Sequence, residues 1–174
     1  MVVLVILAGV VSCGGDAGGS ADGDVAESAA GGLAICDVLS DEEVTQVLAG
    51  HDGGIVTSAG GSLVDGVDVY RCSYTAQREG VSDFDLLTVV VTTAANAELF
   101  DGVRPAAEPK RDTYSNFAVI DAGDGGYTYG DPDEMMVDVW QGTTAVTFEL
   151  EADDAASHTD SLVALAVIVL SRTN

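Results

Sequence analysis

Cations are scarce in this chain: 6 Lys and Arg stand against 29 Asp and Glu, a formal net charge of −23. Nucleic-acid binding draws on the neutralisation of phosphates and the release of their counterions, and 6 cations cannot form that footprint. Histidine is nearly absent (2) and cysteine sparse (3), which gives poor support to a His/Cys metal centre. No apolar run approaches the roughly 20 residues a helix needs to span a bilayer. Apolar side chains, by contrast, make up 47% of 174 residues, enough to bury a real core and to exclude charge-driven disorder for most of the chain. The length fits one ordinary domain with appendages, and no cofactor is called for.

The first 32 residues read as an address. Residues 2–11 are apolar apart from Gly9, the length of a secretory h-region, although residues 1–12 lack the basic n-region of a full leader. Val10-Val11-Ser12-Cys13 resembles the bacterial lipobox, which implies a signal peptide over 1–12 and a diacylglyceryl group on the Cys13 sulfur. Multiple acyl chains hold a protein to a membrane far more firmly than a single one does. Residues 13–32 then form the lipidated Cys and a Gly/Ala/Ser/Asp-rich tether, too polar and too small-chained to offset its own ordering entropy. The expected location is the extracytoplasmic face of the cell membrane.

With Cys13 assigned to lipid, Cys36 and Cys72 remain as an even pair in an oxidising compartment, and a disulfide is expected between them. It would close a loop of about 37 residues, a contribution of roughly 3–4 kcal/mol. The alternative is two buried free thiols.

Residues 33–174 read as a single α+β domain. Ser40-Asp41-Glu42-Glu43 is a capping box ahead of an apolar stripe at Val44, Val47 and Leu48, and predicts a helix over 41–49 closed by Gly50. A brief strand is expected at 54–58, and an alternating one at 67–75 with Val67 and Val69 on one face and Tyr70, Cys72 and Tyr74 on the other. Residues 85–93, dense in β-branched side chains, predict a central strand. A helical turn or two should follow at 94–100, then a loop over 102–116 holding Pro105 and Pro109. Short strands at 117–120 and 127–129 lead to a hairpin of 134–140 and 144–151. Asp153 or Asp154 should cap a last helix, whose run Leu162–Leu170 is nine apolar residues long and packs on the sheet, with Arg172 suited to its C-terminus. The expected order is α-β-β-β-α-β-β-β-β-α, an antiparallel sheet with N-terminal, middle and C-terminal helices packed on it.

With these elements in place the chain resembles a family of actinobacterial cell-envelope lipoproteins whose activity is not established. The resemblance runs over about residues 33–172. It is carried by Cys36-Asp37-Val38-Leu39-Ser40, Cys72-Ser73-Tyr74, Gly123-Asp124-Gly125-Gly126-Tyr127 and the final hairpin with its Ala/Leu-rich helix. It implies a PsbP-like α/β sandwich and brings no catalytic residues.

Candidate chemistry is thin. Ser157-His158-Thr159-Asp160 holds the residue types of a hydrolytic triad, but neighbours on one turn do not converge on one substrate atom. His51 reads as part of a solvated turn. Asp121, Asp124, Asp131, Asp133 and Glu134 are the densest acidic stretch, yet the calcium-loop offsets from Asp121 fall on Gly123, Gly125 and Pro132. The cations are more informative: Arg71, Arg78, Arg104, Lys110 and Arg111 all lie within 71–111; they either balance charge locally on the surface, the favoured reading, or together meet an anion or a partner. The leading expectation is a lipid-anchored, non-enzymatic module for an envelope protein partner or an apolar or glycolipid ligand. The runner-up is a carboxylate-dependent hydrolase acting on envelope polymers.

Overall fold

The computed structural model describes residues 35–78 and 84–174. The expected signal peptide, the lipidated Cys13 and the tether over 13–32 lie outside the described residues, as does the start of the domain at 33.

Two antiparallel meanders build one sheet. The first comprises β1 (Ile55–Val64), β2 (Val67–Gln77) and β3 (Phe84–Ala94). The chain then leaves the sheet through α2 (Ala97–Val103) and α3 (Ala107–Thr113), having earlier formed α1 (Asp41–Thr45) ahead of β1. It re-enters at the opposite edge as β4 (Ala118–Ile120), β5 (Gly125–Asp131), β6 (Glu134–Gln141) and β7 (Thr144–Glu151), so that β7 ends beside β3. The resulting 7-stranded sheet has the order β1-β2-β3-β7-β6-β5-β4, every neighbouring pair antiparallel. A 3-10 turn (Ala155–His158) and α4 (Thr159–Thr173) complete the α+β fold.

One face of the sheet is sealed. Tyr74, Leu87, Val89, Val91, Val137, Val139, Val146, Phe148 and Leu150 point to it by strand alternation and are buried. Against them α4 lays Leu162, Leu165, Ala166, Val169 and Leu170, the i, i+3, i+4, i+7, i+8 stripe of a core-facing helix. Val44, Val47 and Leu48 close the near end. The capping box forms as expected: the Ser40 hydroxyl accepts from the Glu43 amide, and the Glu43 carboxylate accepts from the Ser40 amide at 2.9 Å. Arg172 extends across to the same carboxylate with two bonds of 2.7 and 2.8 Å and also donates to the Val38 carbonyl, tying the end of α4 to the start of α1. The Cys36–Cys72 disulfide is formed, with a Cα–Cα distance of 5.3 Å, and staples the segment before α1 to β2.

Several elements depart from the sequence reading. The first strand is 10 residues long rather than a short piece at 54–58, because Tyr70 of β2 lies over Gly60 and supplies the packing that glycine lacks. A Cβ at Gly60 would come within 2.5 Å of that ring. Residues 102–116 are not a loop: they finish α2 and contain α3, where Pro109 is the third helical residue. A first-turn N–H has no intrahelical acceptor, so its loss costs nothing there. The middle of the fold therefore holds two helices. The first helix stops at Thr45 and runs on as turns to Gly50. Neither Asp153 nor Asp154 caps α4; Asp154 adopts a left-handed conformation (φ 63°) that starts the 3-10 turn, and the buried Ala155 follows it.

Candidate functional site

Among the described residues the opposite face is only partly covered. The same alternation sends Arg71, Ser73, Thr88, Val90, Thr147, Glu149, Met136, Asp138, Tyr127 and Tyr129 to it, and α2 and α3 roof only one end. Its polar side chains interlock. Ser73 and Thr88 share a hydrogen bond of 3.1 Å between strands. Asp138, wholly buried in the middle of β6, accepts from the Thr147 hydroxyl at 2.6 Å and from Lys110 of α3. Lys110 also donates to the Tyr129 hydroxyl at 2.6 Å, and its ammonium sits 4.2 Å from that ring's centroid. Burial and the adjacent Asp138 charge push the Tyr129 phenol well above its ordinary value, so it stays neutral.

The two ends of this face differ in charge. Toward the β5–β6 turn an open cleft of about 610 Å³ is lined by Asp131, Asp133, Glu134 and Glu151 together with Arg78, Phe84 and Ala152. Glu149, half-buried one row further in, has its proton affinity raised by burial and then by the Glu151 and Glu134 charges; Arg71 opposes the shift. At the other end the rings of Phe117, Tyr127 and Trp140 follow one another at centroid spacings of 5.3 and 5.2 Å. Arg104 covers Trp140 at 5.4 Å and Arg111 covers Phe117 at 5.3 Å. Gly125 admits the Trp140 ring, which would lie 2.7 Å from a Cβ there.

The five clustered cations are therefore divided. Arg71, Arg104, Lys110 and Arg111 belong to the partly covered face, on β2 or on the helical roof. Arg78 lies at the end of β2, paired with Asp85 and with Asp153 at 2.9 Å. Lys110 is committed to Asp138, so it joins roof to sheet; Arg104 and Arg111 keep their guanidinium groups on exposed residues. Ser157 and His158 sit in the 3-10 turn and Thr159 and Asp160 open α4, where the Thr159 hydroxyl bonds the Ala156 carbonyl. Of the acidic stretch, Asp124 accepts from the Gly142 amide at 2.7 Å, while Asp131, Asp133 and Glu134 line the cleft. Among the described residues no three His, Cys, Asp or Glu side chains are grouped to hold a metal ion.

His51 corrects the sequence reading most sharply. It is buried, not solvated: Nδ1 lies 2.9 Å from the Thr75 carbonyl, and the ring meets Tyr74 edge-on at 5.6 Å. Since a carbonyl only accepts, Nδ1 carries the proton, and Nε2 has no hydrogen-bond partner among the described residues; Asp41 is 3.8 Å away.

Sequence reasoning missed Asp138, Thr147, Tyr129 and Glu149. An Asp in the middle of the strand run EMMVDVWQ was the available signal, since a carboxylate inside a central strand requires a partner. That partner lies 28 residues earlier, in the segment expected to be a loop. No protein-family model, curated protein or solved structure matches this chain.

Proposed function

We propose that the chain is a lipid-anchored module of the cell envelope, not an enzyme, and that it binds a protein partner through the partly covered face of its sheet. The observation that carries this reading is Glu149. It is a half-buried carboxylate, crowded by Glu134 and Glu151, at a position where folding alone favours a neutral side chain. A crowded carboxylate on this face is placed to gain from an opposite charge brought by a partner. The acidic cleft beside it suits basic side chains of a partner. An apolar or glycolipid cargo is less well supported, because the α4–sheet interface is filled by Val137, Val139, Phe148, Leu162, Leu165 and Val169, each at 0 or 1% exposure.

The test is site-specific photo-crosslinking in intact cells from Arg71 and, as a control, from Val167 on the outer side of α4. The reading expects a discrete adduct from Arg71, lost in Glu149→Lys, and none from Val167. Equal adducts from both positions, or none from Arg71, contradict it. Anchoring is tested separately: Cys13→Ala should release the protein from membranes, and unchanged membrane association would refute lipidation.

The hydrolase reading has one observation in its favour. Glu149, with raised proton affinity, stands diagonally across the β6–β7 ladder from Asp138. Against it, both Asp138 oxygens are occupied and its side chain is 1% exposed. Turnover of an envelope polymer that disappears in Glu149→Gln would favour this alternative.

A further inference from the structure

The outer strand β1 is unusual for a sheet edge. Among the described residues it pairs with β2 on one side only, and its 10 residues, IVTSAGGSLV, include no charge and no proline. Edge strands ordinarily carry lysine, proline, bulges or short length to blunt the outward row of N–H and C=O groups, and of these devices β1 has only irregularities near its two ends. The opposite edge obeys that rule, since β4 is 3 residues long. On β1 the register is irregular between Ile55 and Thr57 and between Ser62 and Val64, and unbroken over the six positions from Thr57 to Ser62. Ile55, Leu63 and Val64, at the two ends, are 50, 64 and 52% exposed, three of the six large apolar side chains exposed among the described residues.

Charge selects the occupant. The neutral stretch is bracketed by Asp52 and Asp65, and Asp68 lies across on β2, bonded to Ser62 at 2.6 Å. A second copy paired antiparallel through the same six positions would bring Asp65 of each chain toward Asp52 of the other, between molecules that each carry −23. A segment neutral in its middle and basic at its ends meets opposite charge at both. We infer that the free edge of β1 takes up an extended polypeptide segment by strand addition, small or β-branched opposite Thr57–Ser62 and flanked by Lys or Arg. This site is the edge of the sheet and stands independently of the docking face proposed above.

The experiment follows amide exchange and chemical shifts of the full, disulfide-intact chain by NMR. The probes are a hexapeptide of alternating Thr and Val with two lysines at each end and its glutamate-flanked twin. Saturation with the lysine peptide should slow exchange of alternate β1 amides by about tenfold or more, while the glutamate peptide leaves them unchanged. Gly61, where a Cβ meets nothing within 4 Å, provides the variants. Gly61→Lys should weaken binding about tenfold and Gly61→Glu should preserve it, because only the first opposes the flanking lysines. No response at β1, or equal responses to both peptides, overturns the inference. So does protection of β1 without peptide: if concentration-dependent it assigns the edge to a second copy, and if not, to the chain's own remaining residues.

Discussion

The two faces of the sheet are made by the same strands and differ only in which alternate residue they show. In β6 and β7 the sealed side receives Met135, Val137, Val139, Val146, Phe148 and Leu150, and the other receives Glu134, Met136, Asp138, Thr147, Glu149 and Glu151. The first set is buried against α4 and needs nothing but shape; the second is held by a hydrogen-bonded network and by charges that partly oppose one another. Stability is thus concentrated on one side, and the polar network and crowded like charges on the other.

Truncation should expose that asymmetry most strongly. Phe148→Ala, on the sealed side, is expected to cost about 3–5 kcal/mol in urea denaturation, because a buried ring leaves a cavity between fixed neighbours. Val90→Ala, at a partly buried position on the other side, should cost well under half of that; comparable losses would break the comparison. Next comes the staple: Cys36→Ser with Cys72→Ser should lose roughly 3–4 kcal/mol, measured in the same way against the wild type. Lys110→Met leaves the buried Asp138 charge unpaired and should cost about 3 kcal/mol, whereas Lys110→Met combined with Asp138→Leu should recover most of it. A double variant as unstable as the single one would mean that the network does more than pin α3 to the sheet.

A smaller effect is confined to acid. The Arg172 guanidinium and the Ser40 amide lower Glu43 from 4.5 to about 2. A carboxyl depressed in the folded state contributes stability that is present above its ordinary value and lost as pH falls from about 4.5 toward about 2. Glu43→Gln should therefore flatten the acid limb of the stability profile in that window, as read by thermal melts at stepped pH.

What the sequence disclosed follows the same division. The sealed side was legible because its patterns are local: the alternation in β2, the apolar run of α4 and the capping box at Ser40; the Cys36–Cys72 pair, 36 residues apart, followed from cysteine count alone. The other side was legible only in part. α3 was hidden because Pro109 usually signals a break, and only its position in the first turn makes it harmless. The length of β1 was hidden because Gly60 and Gly61 have low strand propensity, and the compensating Tyr70 ring comes from another strand. His51 was placed in solvent because its partners, Thr75 and Tyr74, are more than twenty residues away. Lys110 was grouped with the other cations, although its role is set by Asp138. For His51 and Lys110 the deciding contact is long-range and polar, and such contacts leave no period in the sequence.

Glu149, crowded by the Glu151 and Glu134 charges and partly buried, should weaken the fold in a way that depends on pH. With the folded carboxyl raised above its unfolded value, the penalty is absent below the unfolded value and grows as pH rises through it. Urea denaturation of the wild type and Glu149→Gln from pH 4 to pH 8 should therefore give a variant that is the more stable at neutral pH, with the difference closing toward pH 4. A variant less stable than the wild type at pH 7 would show that Glu149 supports the fold, and would remove the reason for assigning that face to a partner.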